Sequence, residues 1–187
     1  MNKRLMCLLA GLTTILLLAI VACANDLTPL EQRVTELEGT AIQMAPEPTT
    51  KEFYLTGVEW KGTTSADQLD PPAVDPKALS KGYGFKGPGF DADKPENWQV
   101  ATYVWTPGAM VVNEGDTVDL TAFIVNGNHH ESKLIAPDGS EVGEIIEMNR
   151  GREYHRSFKA EQAGVYLLVC ETHAPSMTAT ITVLPSS

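Results

Sequence analysis

Three side chains near the C-terminus have the types and the spacing of metal ligands. Cys170 ends an apolar run, His173 follows three residues later, and Met177 follows four residues after that. A thiolate, an imidazole and a thioether together suit copper, and two histidines and a cysteine in a trigonal plane, with a weak axial methionine, form the blue-copper electron-transfer site. The spacing therefore predicts a copper-binding loop between two β-strands.

The second imidazole of such a site must come from elsewhere in the chain, where His129, His130 and His155 remain. The first two follow a strand-like run and a turn-forming Asn-Gly-Asn sequence. Two-residue alternation puts His130 on the same face as Leu134, which we expect in the core, whereas His129 shares its face with charged neighbours. We therefore predict His130 as the ligand and keep His129 as an alternate. His155 is flanked by charged residues and is expected on the surface.

The pattern Cys170-x₂-His173-x₃-Met177, followed by a final alternating strand, resembles the C-terminal motif of the cupredoxins. The resemblance covers roughly residues 98–185. It includes an upstream pattern with similar spacing, made up of Gly151, Phe158, Gly164 and Tyr166. It implies an all-β Greek-key sandwich that binds one copper ion and transfers electrons. The sequence departs from the family pattern at Ala179, where many members have glycine, and at Glu131 and Ser132, where His-Ser-Phe is common.

Two alternatives for the site stay open. The red copper protein nitrosocyanin, a relative of the cupredoxins, uses a glutamate near this position, which makes Glu131 an alternate ligand. Cys170 could instead be a small buried hydrophobic residue, because free cysteines are often buried for packing alone. Met177 could likewise belong to the core.

The N-terminus has the features of an export signal. A basic start, Met1 to Arg4, precedes an apolar run that reaches Ala22, and Ile20-Val-Ala-Cys23 resembles the lipobox of bacterial lipoproteins. This predicts a signal peptide over residues 1–22, lipidation of Cys23, and attachment to the extracytoplasmic side of a bacterial membrane. An uncleaved membrane anchor is the alternative.

The predicted compartment gives Cys170 added weight. Cys7 would leave with the signal and Cys23 would carry lipid, so no disulfide could form within the mature chain. An unpaired thiol in an exported protein indicates a specific role. Metal ligation is such a role, and it keeps the sulfur deprotonated.

Composition and charge narrow the class of partner. The chain has 187 residues, 43% of them apolar, which is enough for one domain with a core and additional segments. Its 24 acidic and 14 basic residues give a formal net charge of −10. This charge disfavours nucleic acid as a ligand. It suits a redox partner protein with a basic docking face, because opposite charges steer encounter.

The order of segments predicts a tether followed by a β-domain. Residues 23–50 form the tether, with a short helix over about 28–38 that begins at a capping box. Residues 51–97 contain a strand and an irregular Gly/Pro-rich insertion, which we expect to pack on the domain. Residues 98–187 form the cupredoxin domain, with about seven or eight short strands, one of them predicted at 142–146.

The sequence thus predicts a membrane-anchored, mononuclear type 1 copper protein that carries one electron at a time and is not an enzyme. One alternative is a red copper protein with an open or Glu131-ligated site. Another is a copper-binding or delivery module, although the scattered methionines do not favour delivery. His-x-His pairs, which multicopper oxidase clusters need, do not occur in the chain.

Overall fold

The computed structural model describes residues 47–79 and 82–186 of the chain. Ten strands dominate this part of the protein and form two sheets. In chain order the elements are β1 (Thr50–Ser65), α1 (Pro76–Leu79), β2 (Tyr83–Lys86), β3 (Asn97–Thr106), β4 (Ala109–Asn113), β5 (Thr117–Ile124), β6 (His130–Ile135), β7 (Ile146–Met148), β8 (Glu153–Lys159), β9 (Gly164–Cys170), a 3₁₀ turn (Glu171–His173) and β10 (Thr178–Leu184). The predicted signal, the lipidated Cys23 and the predicted helix all lie outside the described residues.

The two five-stranded sheets confirm the predicted β-sandwich. The first sheet has the order β2-β3-β1-β5-β8 and the second has the order β4-β10-β9-β6-β7. Most consecutive strands cross from one sheet to the other, so residues distant in sequence meet in the interior. Among the described residues, no helix has the length and apolar character needed to cross a bilayer.

The core follows from the two-residue period of the strands. In β5, β9 and β10 every second side chain is buried, which places one face of each strand between the sheets. Cys170 belongs to this inward set on β9, together with Tyr166 and Leu168. The predicted ligand Cys170 is therefore the last residue of a core strand.

Strand β1 is the middle strand of the first sheet. It pairs parallel with β5 over residues 50–57 and antiparallel with β3 over residues 56–65. Residues 50–65 are thus an integral part of the sandwich.

Two local differences from the sequence prediction have a physical cause. The insertion contains a strand, β2, which pairs with β3 and raises the number of strands to ten. The strand predicted at 142–146 is wrong, because β7 begins only at Ile146. The backbone carbonyls of Val142 and Glu144 accept hydrogen bonds from the Arg156 guanidinium, and Gly143 has a φ of 72°. These residues therefore form a loop around a cationic side chain.

Candidate metal centre

The loop between β9 and β10 carries three of the predicted ligands and is closed by its own backbone. The Cys170 N–H donates to the Met177 carbonyl at 2.9 Å, and the Met177 N–H donates to the His173 carbonyl at 3.1 Å. The 3₁₀ turn between them brings the His173 ring back toward the end of β9. A chain segment of eight residues thus holds a sulfur and an imidazole side by side.

His130 begins β6, which lies next to β9 in the second sheet. Burial alternates along β6, so the His130 ring points into the sandwich and is fully buried. Its Nε2–H donates to the Asn126 carbonyl at 3.1 Å. This hydrogen bond leaves the lone pair on Nδ1, which faces the Cys170 sulfur at 3.6 Å.

Gly127 makes room for this ring. Its φ is 93°, a conformation that side-chain-bearing residues rarely adopt, and a Cβ at this position would lie 2.1 Å from His130 Nε2. The Asn-Gly-Asn turn that the sequence marks as a break before β6 therefore also shapes the ligand. Sequence reasoning identified the turn but not this steric role.

The His173 ring completes a compact group of donor atoms. Its Nδ1 lies 3.5 Å from Cys170 Sγ, and the ring centroids of His173 and His130 are 4.7 Å apart. One donor atom from each of the three residues lies within 4.8 Å of the other two. Met177 is fully buried at the end of the same loop and completes a His-Cys-His-Met group.

The spacing and the chemistry of these donors fit one copper ion. A metal with bonds of about 2.3 Å to sulfur and 2.0 Å to nitrogen, at angles between tetrahedral and trigonal, places each nitrogen about 3.5–3.7 Å from the sulfur. The observed distances from Cys170 Sγ are 3.6 and 3.5 Å. The thiolate and thioether favour a soft metal, and the imidazoles suit copper.

The surroundings of His130 and His173 keep both imidazoles in the neutral form that can bind a metal ion. Burial lowers the pKa of His130, although the hydrogen bond to Asn126 opposes this effect. Burial, and then the neighbouring His130, lower the pKa of His173 to about 4. Both rings are therefore neutral at neutral pH, which is the form that binds metal.

The surroundings of Cys170 favour the protonated thiol, which is not the form that binds metal. Burial raises its pKa, while the backbone N–H groups of His173 and Glu131 favour the thiolate. Without a cation nearby, burial outweighs these donors and keeps the proton on sulfur. A bound metal ion would supply the missing positive charge, because metal ligation deprotonates a thiol.

Tyr103 is a neighbour of the site that the sequence did not reveal. Its ring centroid lies 4.2 Å from that of His173 and 5.0 Å from that of His130. Burial, and then Glu59, raise the pKa of the phenol, which is therefore protonated at neutral pH. Tyr103 belongs to an alternating run on β3, and nothing in that run distinguishes it from the other inward residues.

The remaining sequence candidates lie away from the converging donor atoms. His129 is half-exposed, with Nδ1 3.3 Å from Glu147 and Nε2 3.7 Å from Glu131. Glu131 is about half-exposed and alternates with the buried His130. His155 is 69% exposed and lies beside Glu153 and Thr121. The cluster of three donors among the described residues includes none of these side chains.

The insertion contacts the ligand loop directly. The Gly82 carbonyl accepts hydrogen bonds from Ser176 Oγ at 3.2 Å and from Thr102 Oγ1 at 3.1 Å. Beside this contact lies a cavity of about 240 Å³, whose wall includes His173, Tyr103 and other residues of β1, β2 and β3. Part of the insertion thus forms the wall of the space next to the ligand loop.

No known protein family matches the sequence, and no curated protein matches it either. Solved structures do match. A copper nitrite reductase from Nitrosomonas europaea has 18% identity and a TM-score of 0.43, over 73% of this chain and 42% of that one. Auracyanin A, a blue copper protein from Chloroflexus aurantiacus, has 20% identity and a TM-score of 0.36, over 43% of this chain and 88% of its own.

Pseudoazurin from Methylobacterium extorquens has 17% identity and a TM-score of 0.35, over 72% of this chain and 76% of that one. The described residues form a sandwich of two five-stranded sheets. The chain spans about two fifths of the length of the nitrite reductase and of a multicopper oxidase that also matches. With identities this low, the assignment of ligands in this chain depends on its own donor atoms.

Proposed function

We propose that the protein is a membrane-anchored, mononuclear copper protein that carries single electrons. The observation that carries the proposal is that one donor atom each from Cys170, His130 and His173 lies within 4.8 Å of the other two. These three residues would hold the ion, and Met177 would supply a weaker fourth contact. Copper bound there supplies a reversible one-electron couple.

The role of the chain in this function is to keep the donor atoms in place. His130 is held by its hydrogen bond to Asn126, and the loop that carries Cys170 and His173 is closed by backbone hydrogen bonds. Both elements are attached to neighbouring strands of one sheet. Because the three donor atoms lie within 4.8 Å of one another on hydrogen-bonded elements, a change in the charge of a bound ion would require little movement of the protein.

A red or open copper site is the second candidate, because a cavity of about 240 Å³ adjoins His173. A small molecule in that cavity would lie beside a copper ligand. The half-exposed Glu131, whose carboxylate lies beside His129, does not support the version of this site in which Glu131 binds the metal.

The anchor and the partner complete the proposal and rest on the sequence. Cys23 would attach the chain to the extracytoplasmic face of a bacterial membrane. The net charge of −10 would favour a redox partner with a basic docking face, since long-range attraction raises the rate of encounter. Such an encounter should weaken as the salt concentration rises.

The test is to load the purified protein with Cu(II) and record its visible absorption and EPR spectra. The electron-carrier proposal predicts an intense blue charge-transfer band and a narrow copper hyperfine splitting, both lost in Cys170→Ala. A red, tetragonal spectrum that changes in Glu131→Ala would favour the second candidate. A spectrum without a band that depends on Cys170 would overturn both. Labelling with a radioactive fatty acid, compared between wild type and Cys23→Ala, tests the anchor separately.

A further inference from the structure

Gly57 leaves a gap in the middle of the first sheet. It lies on β1, where it is directly opposite Trp105 on β3 and Ile124 on β5. Both neighbours are large and buried, with exposures of 3% and 0%. A glycine between two such side chains creates a notch in the inward face of the sheet.

The methyl group of Met177 occupies this notch. A Cβ at residue 57 would lie 3.1 Å from Met177 Cε, 3.2 Å from Trp105 Cζ3 and 2.7 Å from Ile124 Cδ1. These separations are shorter than ordinary van der Waals contacts, so a methyl group at residue 57 would displace its neighbours. Gly57 does not have a positive φ, and its backbone conformation therefore does not require glycine. What the position requires is space.

A methionine that serves as a weak ligand needs support from the protein. Its side chain is unbranched and has three rotatable bonds, and a long axial bond would not by itself fix the sulfur. The backbone of Met177 is already held by hydrogen bonds to Cys170 and His173. The remaining freedom lies in the side chain, whose end contacts the opposite sheet.

We infer that Gly57, Trp105 and Ile124 form a seat that holds the Met177 methyl group and so positions the thioether toward the metal. The inference rests on the proposed function and makes Gly57 a positioning residue. The first sheet would thus set the strength of the axial contact, although the other three ligands belong to the second sheet and its loop.

Gly57→Ala tests the seat, with Gly62→Ala as the matched control. Both glycines lie on β1 and neither has a positive φ, but a Cβ at Gly62 would meet only Val100 at an ordinary 3.7 Å. Displacing the methyl should weaken the axial contact. Gly57→Ala should therefore raise the reduction potential of the copper protein, in the same direction as Met177→Leu and by a smaller amount. Gly62→Ala should leave the potential at the wild-type value.

A double variant separates action through Met177 from general strain. Leucine has neither the sulfur nor the Cε methyl of methionine, so Gly57→Ala should no longer shift the potential in a Met177→Leu background. An equal shift in both backgrounds would overturn the inference. If Gly57→Ala proves too unstable to purify, adding Ile124→Val removes the atom nearest the new methyl and leaves the contact with Met177.

A second readout needs no copper. In protein labelled with ¹³C at the methionine methyls, the Met177 resonance should report contact with the Trp105 ring and should move in Gly57→Ala but not in Gly62→Ala. A wild-type protein without a Cys170-dependent band would overturn the proposed function. The wild-type protein could be blue while Gly57→Ala and Gly62→Ala have the same reduction potential and the same Met177 methyl chemical shift. That result would overturn the inference about the seat and leave the proposed function intact.

Discussion

The two ends of the sandwich both bury polar groups, but in different ways. At one end Asp116, which is 1% exposed, accepts hydrogen bonds from the Thr49 N–H, the Thr49 hydroxyl and the Asn113 N–H. At the other end Cys170 and two imidazoles direct donor atoms at one another. The acceptors of the first group all have partners. In the second group, one donor atom from each of the three side chains lies within 4.8 Å of the other two.

This difference distinguishes a structural polar group from a binding site. A buried carboxylate whose oxygens all accept hydrogen bonds stabilises the fold and requires no additional ligand. Neutral nitrogens that face a buried sulfur gain little from one another, and a cation would satisfy all of them at once. The following variants test this contrast, from the largest expected effect to the smallest.

Cys170→Ala should remove the charge-transfer band completely, because the band requires the copper–sulfur bond. The side chain is small, so the loss of packing is modest and the protein should still fold. Absorption spectra of copper-loaded protein and far-UV circular dichroism measure the two effects. A variant that retained the band would show that the band does not arise from a bond between copper and Cys170.

Gly127→Ala should strongly reduce copper binding, because the new Cβ would occupy the place of the His130 ring. It would also cost roughly 1–3 kcal/mol of stability through the strained φ. Gly139→Ala is the matched control, since its φ of 87° imposes a similar strain with no atom within 4 Å of the new Cβ. Competition with a copper chelator should show weaker binding in the first variant only. Equal binding in the two variants would refute the steric role.

Asp116→Asn should destabilise the protein by about 1–3 kcal/mol, because the amide cannot accept every hydrogen bond that the carboxylate accepts. The copper spectrum should not change. Urea unfolding of the metal-free protein measures the first effect and absorption the second. A spectral change would mean that the two ends of the sandwich are coupled.

The destabilisation should also depend on pH. Burial alone would raise the pKa of Asp116, but the hydrogen bonds from Thr49 and Asn113 lower it overall. A carboxyl whose folded pKa is lowered contributes its full stability above the unfolded value, near 3.9, and loses it as the pH falls through the folded value. The difference between wild type and Asp116→Asn should therefore be largest at neutral pH and shrink below about pH 4.

Met177→Leu should retain copper and raise its reduction potential, because a weak axial donor is lost while the three stronger ligands remain. Voltammetry of the loaded protein measures the shift. Complete loss of copper would contradict the role of Met177 as a weak fourth ligand.

Glu131→Ala should have the smallest effect. The Glu131 side chain is about half-exposed and lies beside His129, so the variant should keep both the spectrum and the potential of the wild type. A clear spectral change would favour the red copper alternative. His129→Ala is a suitable companion, since it removes the other half of the same surface contact.

The ligand loop could be predicted from the sequence because its chemistry is local. The spacing from Cys170 to Met177 is short, and alternation was enough to prefer His130 over His129. The choice of His130 as ligand stays a prediction, although its ring faces the sulfur. Alternation works here because one face of β6 is buried and the other is not.

Contacts that depend on long-range pairing could not be predicted. The parallel pairing of β1 with β5 brings Gly57 under Met177, 120 residues away in the chain, and no local pattern indicates it. The position of Tyr103 beside both imidazoles depends on how the two sheets face each other. Residues 142–146 lie between two turn signals and therefore indicate a short strand, whereas the carbonyls of Val142 and Glu144 accept hydrogen bonds from the Arg156 guanidinium.

The direction of β1 determines which end of the sandwich a force applied at the start of this strand would reach first. The chain enters the sandwich at Thr50, next to the Asp116 end, and reaches Gly57 seven residues later, roughly 23 Å further along the strand. A force applied to the chain before Thr50 would act first on the hydrogen bonds from Thr49 to Asp116. The cluster of Cys170, His130 and His173 at the other end would keep its geometry until those hydrogen bonds broke.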